Sequence, residues 1–85
     1  MAILKVFAVY DSKVQTYAQP FFVPTAAAAL RSFADIAKDT THPIGKHPED
    51  YTLMELGTYD ESTGLLESLT TPHSQGVALE FMKVV

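Results

Sequence analysis

Tyr10, Lys13, Tyr17, Phe21 and Phe22 place four aromatic rings and one ammonium group within a short stretch near the start of the chain. Aromatic rings on a sheet beside a lysine can stack the bases of single-stranded nucleic acid, each stack contributing about 1–3 kcal/mol. The same residues also admit a plainer use. Phe21 and Phe22 would be core or subunit contacts, and the tyrosines would sit at the rim with their hydroxyls in water. Six Lys and Arg against ten Asp and Glu favour the plainer use, because phosphate binding draws on basic residues.

Other residue types that carry chemistry are present without the spacing that chemistry needs. His42 and His47 flank the segment "HPIGKHP" and His73 lies further on, so three imidazoles are available to a metal. Each of the first two precedes a proline, which restricts its backbone, and neither belongs to a helical His-x-x-x-His pair. They are expected to be exposed loop histidines. Asp50, Glu55, Asp60, Glu61 and Glu67 could supply an acid–base pair only if one were buried beside a pocket. Their polar or alternating neighbours make them solvated carboxylates instead. There is no glycine-rich phosphate loop or nucleophile elbow around the serines. With no cysteine, thiolate chemistry, disulfides and cysteine-bound zinc are excluded. No enzyme activity, cofactor or metal is expected.

The elements that must position these residues follow from composition and period. Eighty-five residues with 47% hydrophobic and 19% charged side chains make a single folded domain, residues 1–85, with a thin core. "AILKVFAVYD" at residues 2–11 is apolar on both faces and predicts a central strand. A turn at residues 11–14 leads into "QTYAQPFFV", an irregular or edge strand because Pro20 has no N–H to donate. "PTAAAALRSFADIAKD" at residues 24–39 predicts a helix capped by Thr25, with Ala26, Ala29, Leu30, Phe33, Ile36 and Ala37 on its apolar face. A proline-rich loop at residues 41–50 follows, then a strand "YTLMELGTY", a hairpin connection "DESTG", a returning strand "LLESLT", a loop "TPHSQG" and a last strand "VALEFMKVV". The predicted fold is α+β: an antiparallel sheet of about five strands in the order β-β-α-β-β-β, with one helix packed on one face. A single helix covers one side of such a sheet, so a second copy of the chain is expected on the other, as a homodimer. Phe7, Val9, Leu79 and Phe81, with Ile3, or else their alternating neighbours, would form the uncovered side.

The net charge of −4 argues against broad binding to naked DNA. No apolar run approaches the roughly 20 residues of a membrane span, and the start lacks the pattern of a secretory signal. A soluble protein with no membrane partner is expected.

Four stretches, "FAVYDSK", "QPFFVPTAAAALRSFADIAKD", "HPEDYTLMELGTYDESTG" and "GVALEFMK", in this order and spacing, resemble the small non-structural protein of gokushovirus-type microviruses, which are single-stranded DNA phages. The resemblance covers nearly the whole chain. It implies a protein of the host bacterial cytoplasm that aids single-stranded DNA replication or genome packaging, in analogy with the C-type protein of related phages. Its partners would be phage replication or capsid proteins and single-stranded DNA. The resemblance brings no catalytic motif. The competing class is a host-directed interaction protein that binds or inhibits a bacterial enzyme, its acidic surface mimicking nucleic acid.

Overall fold

The computed structural model describes residues 3–82. Strand β1 (Ile3–Asp11) is followed by two short strands, β2 (Thr16–Tyr17) and β3 (Phe21–Val23), and by helix α1 (Ala26–Ala37). A single helical turn, α2 (Pro43–Lys46), and a 3-10 turn (Pro48–Asp50) lead into β4 (Tyr51–Asp60), β5 (Leu65–Val77) and a last helical turn, α3 (Ala78–Phe81). The five strands form one antiparallel sheet. β1 and β4 are central, β5 is one edge, and β2 and β3 pair in succession along the other side of β1. The α+β class, the antiparallel five-stranded sheet and the packed helix are those the sequence predicts.

The element order differs from the predicted one in several places, the loop at residues 41–50 carrying two short helical turns among them. The irregular strand around Pro20 is two strands. Ala18, Gln19 and Pro20 form the break, with the Ala18 N–H donating to the Val9 carbonyl at 2.8 Å. Within the segment "VALEFMKVV", the described residues 78–82 form no strand. β5 ends at Val77, and Ala78–Phe81 coil into α3. The Glu80 carboxylate reaches back to accept from the Val77 N–H at 3.3 Å, which satisfies a free donor at the helix start. A helical turn puts residues three apart on one side. Ala78 is thereby fully buried and Phe81 meets Phe33 edge to face at 5.6 Å, while Leu79 turns outward. The predicted strand's Lys83, Val84 and Val85, and Ala2 of the first strand, lie outside the described residues.

The predicted loop at residues 71–76 is also mostly strand. β5 pairs with β4 from Leu65 to Ser68 and again from His73 to Val77. Between these blocks residues 69–72 lie opposite Leu56 alone, so the extra chain bulges out of the ladder. Pro72 falls in this excursion, where its missing N–H costs no ladder bond. The neighbouring Gly57 is required by close approach, since a Cβ there would lie 2.0 Å from the Glu67 carbonyl oxygen.

The helix obeys local rules. The Thr25 hydroxyl accepts from the Ala28 N–H at 3.2 Å, and Pro43 follows soon after the helix stops at Ala37. Ala29, Phe33 and Ala37, four residues apart, are buried. Ile36, predicted on the same face, is 37% exposed at its margin. One core cluster joins these helix residues to Phe7 and Leu53 of the sheet, Ile44 of α2 and Ala78 of α3. Helix α1 and both single-turn helices therefore cover the same side of the sheet. The segment at residues 41–50 adds to the helical layer and does not fold over the opposite face.

Candidate binding face of the sheet

Alternation along β1 sorts the two faces. Phe7 and Val9 point into the core with Phe21 and Val23 of β3 and Tyr51 and Leu53 of β4. Leu4, Val6, Ala8 and Tyr10 point the other way, away from the helices, although Val6 and Ala8 are themselves buried. The register puts Tyr17, Phe22, Thr52, Met54, Gly57, Tyr59, Leu66, Ser68 and Ser74 on that same uncovered face. The uncovered side of β1 is thus formed by the alternating neighbours of Phe7 and Val9, while Phe81 lies on the helical side. None of these uncovered positions is charged. The sheet's ion pair, Lys5 Nζ to Glu55 Oε2 at 3.4 Å, lies on the helical side.

Three of the five residues singled out in the sequence gather at one end of this face. Tyr10 and Tyr17 are direct cross-strand partners with ring centroids 4.8 Å apart, tilted by 51°. Lys13 lies in the turn that joins their strands, and its N–H donates to the Asp11 carboxylate at 2.9 Å, closing the turn. Tyr17 is 46% exposed. The two phenylalanines go elsewhere. Phe21 packs against Phe7 with centroids 6.1 Å apart at the margin of the core, as in the plainer use of these residues. Phe22, 45% exposed, sits further along the uncovered face against Tyr59, edge to face at 5.4 Å. Tyr59 had no distinguishing signal in the sequence, since only the β1–β4 and β1–β3 registers bring it to Phe22.

Two hollows flank these aromatics. One, of about 170 Å³, opens between the apolar residues Val6, Pro20, Phe22, Leu56 and Leu66, with Gly57, Thr58, Glu67 and Ser68 completing its lining. The other, of about 290 Å³, lies on the helical side at the end of the sheet between Val9, Asp11, Tyr17, His42, Ile44 and Tyr51. His42 is committed to structure there: its Nδ1 accepts from the Ile44 N–H at 3.1 Å and caps α2, so it is not the free loop histidine the sequence predicts. Partial burial raises the Tyr51 phenol above its usual value, and the facing Asp11 carboxylate raises it further. Asp39 and Asp60 sit below the usual carboxylate range. The Thr41 and Ser62 hydroxyls, each donating at 2.6 Å, are the main cause, with the backbone N–H groups of the same residues adding to it. Both are turn residues. His47, Glu49 and Asp50 bring ligand atoms within 4.8 Å of one another beside the 3-10 turn, with His47 and Glu49 exposed. Among the described residues no polar or charged side chain is buried, so no carboxylate meets the desolvated setting that acid–base catalysis uses.

Fold and face together define a small α+β domain with a one-sided helical layer and an aromatic, uncharged sheet face. The family model described as Phage ORF5 protein matches residues 4–81, and the chain belongs to that family of phage proteins. No curated protein and no solved structure matches it at a significant level. Among the described residues no helix is long and apolar enough to cross a membrane.

Proposed function

We propose that this phage protein is a non-enzymatic accessory factor of a gokushovirus-type microvirus, acting in single-stranded DNA replication or genome packaging by contact with phage replication or capsid proteins and with single-stranded DNA. The observation that carries the DNA contact is the Tyr10–Tyr17 pair, held cross-strand at 4.8 Å at the tip of the uncovered face, with Lys13 in the connecting turn. Paired rings beside one cation offer a stacking platform for one or two bases of a flexible strand. One local cation on a chain of net charge −4 gives weak binding that depends on salt and does not extend to duplex DNA. Phage-family membership and the resemblance to the microvirus protein support the setting.

The test is a fluorescence titration of labelled oligonucleotides at low salt, with wild type and with the double variant Lys13→Glu, Tyr17→Ala. Binding by wild type that falls with salt and vanishes in the variant supports direct contact. No binding by wild type removes direct contact and leaves action through protein partners. The net charge of −4 favours a second reading, a host-directed protein whose acidic surface occupies a bacterial enzyme. Affinity capture from infected cells separates the two. Phage replication proteins and DNA support the first, and one host protein in stoichiometric yield supports the second.

A further inference from the structure

We infer that His42 is a proton-operated latch on α2: uncharged, it holds the turn against the end of the sheet, and on taking up a proton it releases the Ile44 N–H, turns to the Asp39 carboxylate and lets the hollow beside β1 and β4 open. The latch is one hydrogen bond, from the Ile44 N–H to His42 Nδ1 at 3.1 Å. A neutral imidazole has one nitrogen that accepts and one that donates, so this bond puts the His42 proton on Nε2. An imidazolium donates from both nitrogens. Nδ1–H would then face the Ile44 N–H, donor against donor, and the bond is lost.

The bond holds the wall of a hollow. His42, Pro43 and Ile44 line one side of the space of about 290 Å³, and Val9, Asp11 and Tyr51 of the sheet line the other. α2 is a single turn closed by two backbone bonds, Lys46 N–H to the His42 carbonyl at 2.9 Å and His47 N–H to the Pro43 carbonyl at 3.0 Å. One cap is therefore a large share of what orders it. Pro43 brings no N–H of its own, which leaves Ile44 as the first donor of the turn. The Ile44 side chain is buried in the core cluster, so loosening its backbone loosens that wall.

The surroundings supply the second position of the latch. Asp39, past the end of α1, is tied to His42 by the bond from the His42 N–H to its carbonyl at 3.0 Å. Both Thr41 groups that donate to the Asp39 carboxylate do so to Oδ1, which leaves Oδ2 to accept from an imidazolium. Asp11 lies across the hollow beside the Tyr51 phenol, and Glu49 and Asp50 stand in the 3-10 turn packed on α2. The cations on the adjoining elements are Lys38 and Lys46, with His47 between α2 and the 3-10 turn. Carboxylates thus outnumber cations around the ring, and a charged His42 finds a partner once it leaves Ile44. Histidine changes its charge between about pH 5 and 8. The closed form needs a free Nδ1 lone pair, so the latch is shut at alkaline pH and opens on acidification. Neither Tyr10 nor Lys13 takes part, so the latch and the proposed DNA contact stand or fall separately.

Nuclear magnetic resonance on the 15N-labelled full chain between pH 5 and 8 tests this. Two-bond 1H–15N spectra should show neutral His42 with its proton on Nε2. The protection factor of the Ile44 amide, corrected for the intrinsic effect of pH on exchange, should fall by about fivefold as His42 gains its proton, the worth of one helix cap. The methyl shifts of Val9 and Ile44 should move with it. His42→Asn keeps an accepting oxygen at every one of these pH values and should hold Ile44 protection flat. Asp39→Asn should move the change to lower pH. A neutral His42 protonated on Nδ1 refutes the latch, and so does Ile44 protection in wild type that does not follow the His42 titration. The same loss of protection persisting in His42→Asn also overturns it.

Discussion

Phe33→Ala and Ile36→Ala, three residues apart on α1, should differ sharply in cost. By helical period both belong to the apolar face, but Phe33 is 2% exposed and Ile36 is 37% exposed. Phe33 sits in the cluster with Phe7, Ala29, Ala37 and Leu53, and its ring meets Phe81 edge to face at 5.6 Å. Truncating such a buried phenylalanine removes its transfer energy and leaves a cavity, which costs about 3–5 kcal/mol. The lost ring pair makes the upper half of that range the expected one. A domain of this length has a total stability of about 4–13 kcal/mol, so the variant approaches the unfolding threshold. Ile36 already keeps about a third of its surface in water and should lose only about 1–1.5 kcal/mol. Urea and thermal melts followed by circular dichroism, run at two protein concentrations to separate any effect of self-association, measure both. The Tm of Phe33→Ala should fall by about 10 °C or more. Equal losses for the two variants would refute the placement of α1 and, with it, the assignment of the uncovered face.

Further outcomes follow from the same packing. Thr25→Ala should lose about 1 kcal/mol through the missing cap, while Thr25→Asp should be neutral or mildly stabilising at the helix N-terminus; both are read from denaturant midpoints. Gly57→Ala should destabilise by about 1–3 kcal/mol, because its Cβ meets the Glu67 carbonyl at the bulge, and melts that match wild type would contradict the β4–β5 register. Asp39 and Asp60 have lowered folded-state values, so their hydrogen bonds stabilise the fold above the ordinary carboxylate value of 3.8. That contribution is lost as pH falls below this value towards the folded-state values. The acid limb of a plot of Tm against pH should be shallower in Asp60→Asn than in wild type.

The parts of the fold legible in the sequence are those fixed within a few residues. Thr25 capping Ala28, the alanine-rich start of α1, its stop before Pro43 and the Asp60–Gly64 turn rest on hydrogen bonds and dihedral preferences between near neighbours. The α+β class and the central strand follow from hydrophobic period, which the chain carries whatever it packs against. Tyr10 and Tyr17 could be singled out by type, but their 4.8 Å pairing depends on the turn between them closing in one register. Phe22 meeting Tyr59, and Leu66 rising beside the Gly57 hollow, depend on the pairing of strands far apart in sequence, to which no local signal points. The C-terminal stretch marks the limit. "VALEF" alternates like a strand, yet Val77 already pairs with Thr52 and β4 begins at Tyr51, so β4 offers almost no ladder beyond Val77. The Phe33 site offers Phe81 and Ala78 a buried place only if the chain coils. Local preference there was weak and burial was worth more, so the tertiary structure decided it. The same helical layer, by settling on one side of the sheet, decided which aromatic residues were left facing water.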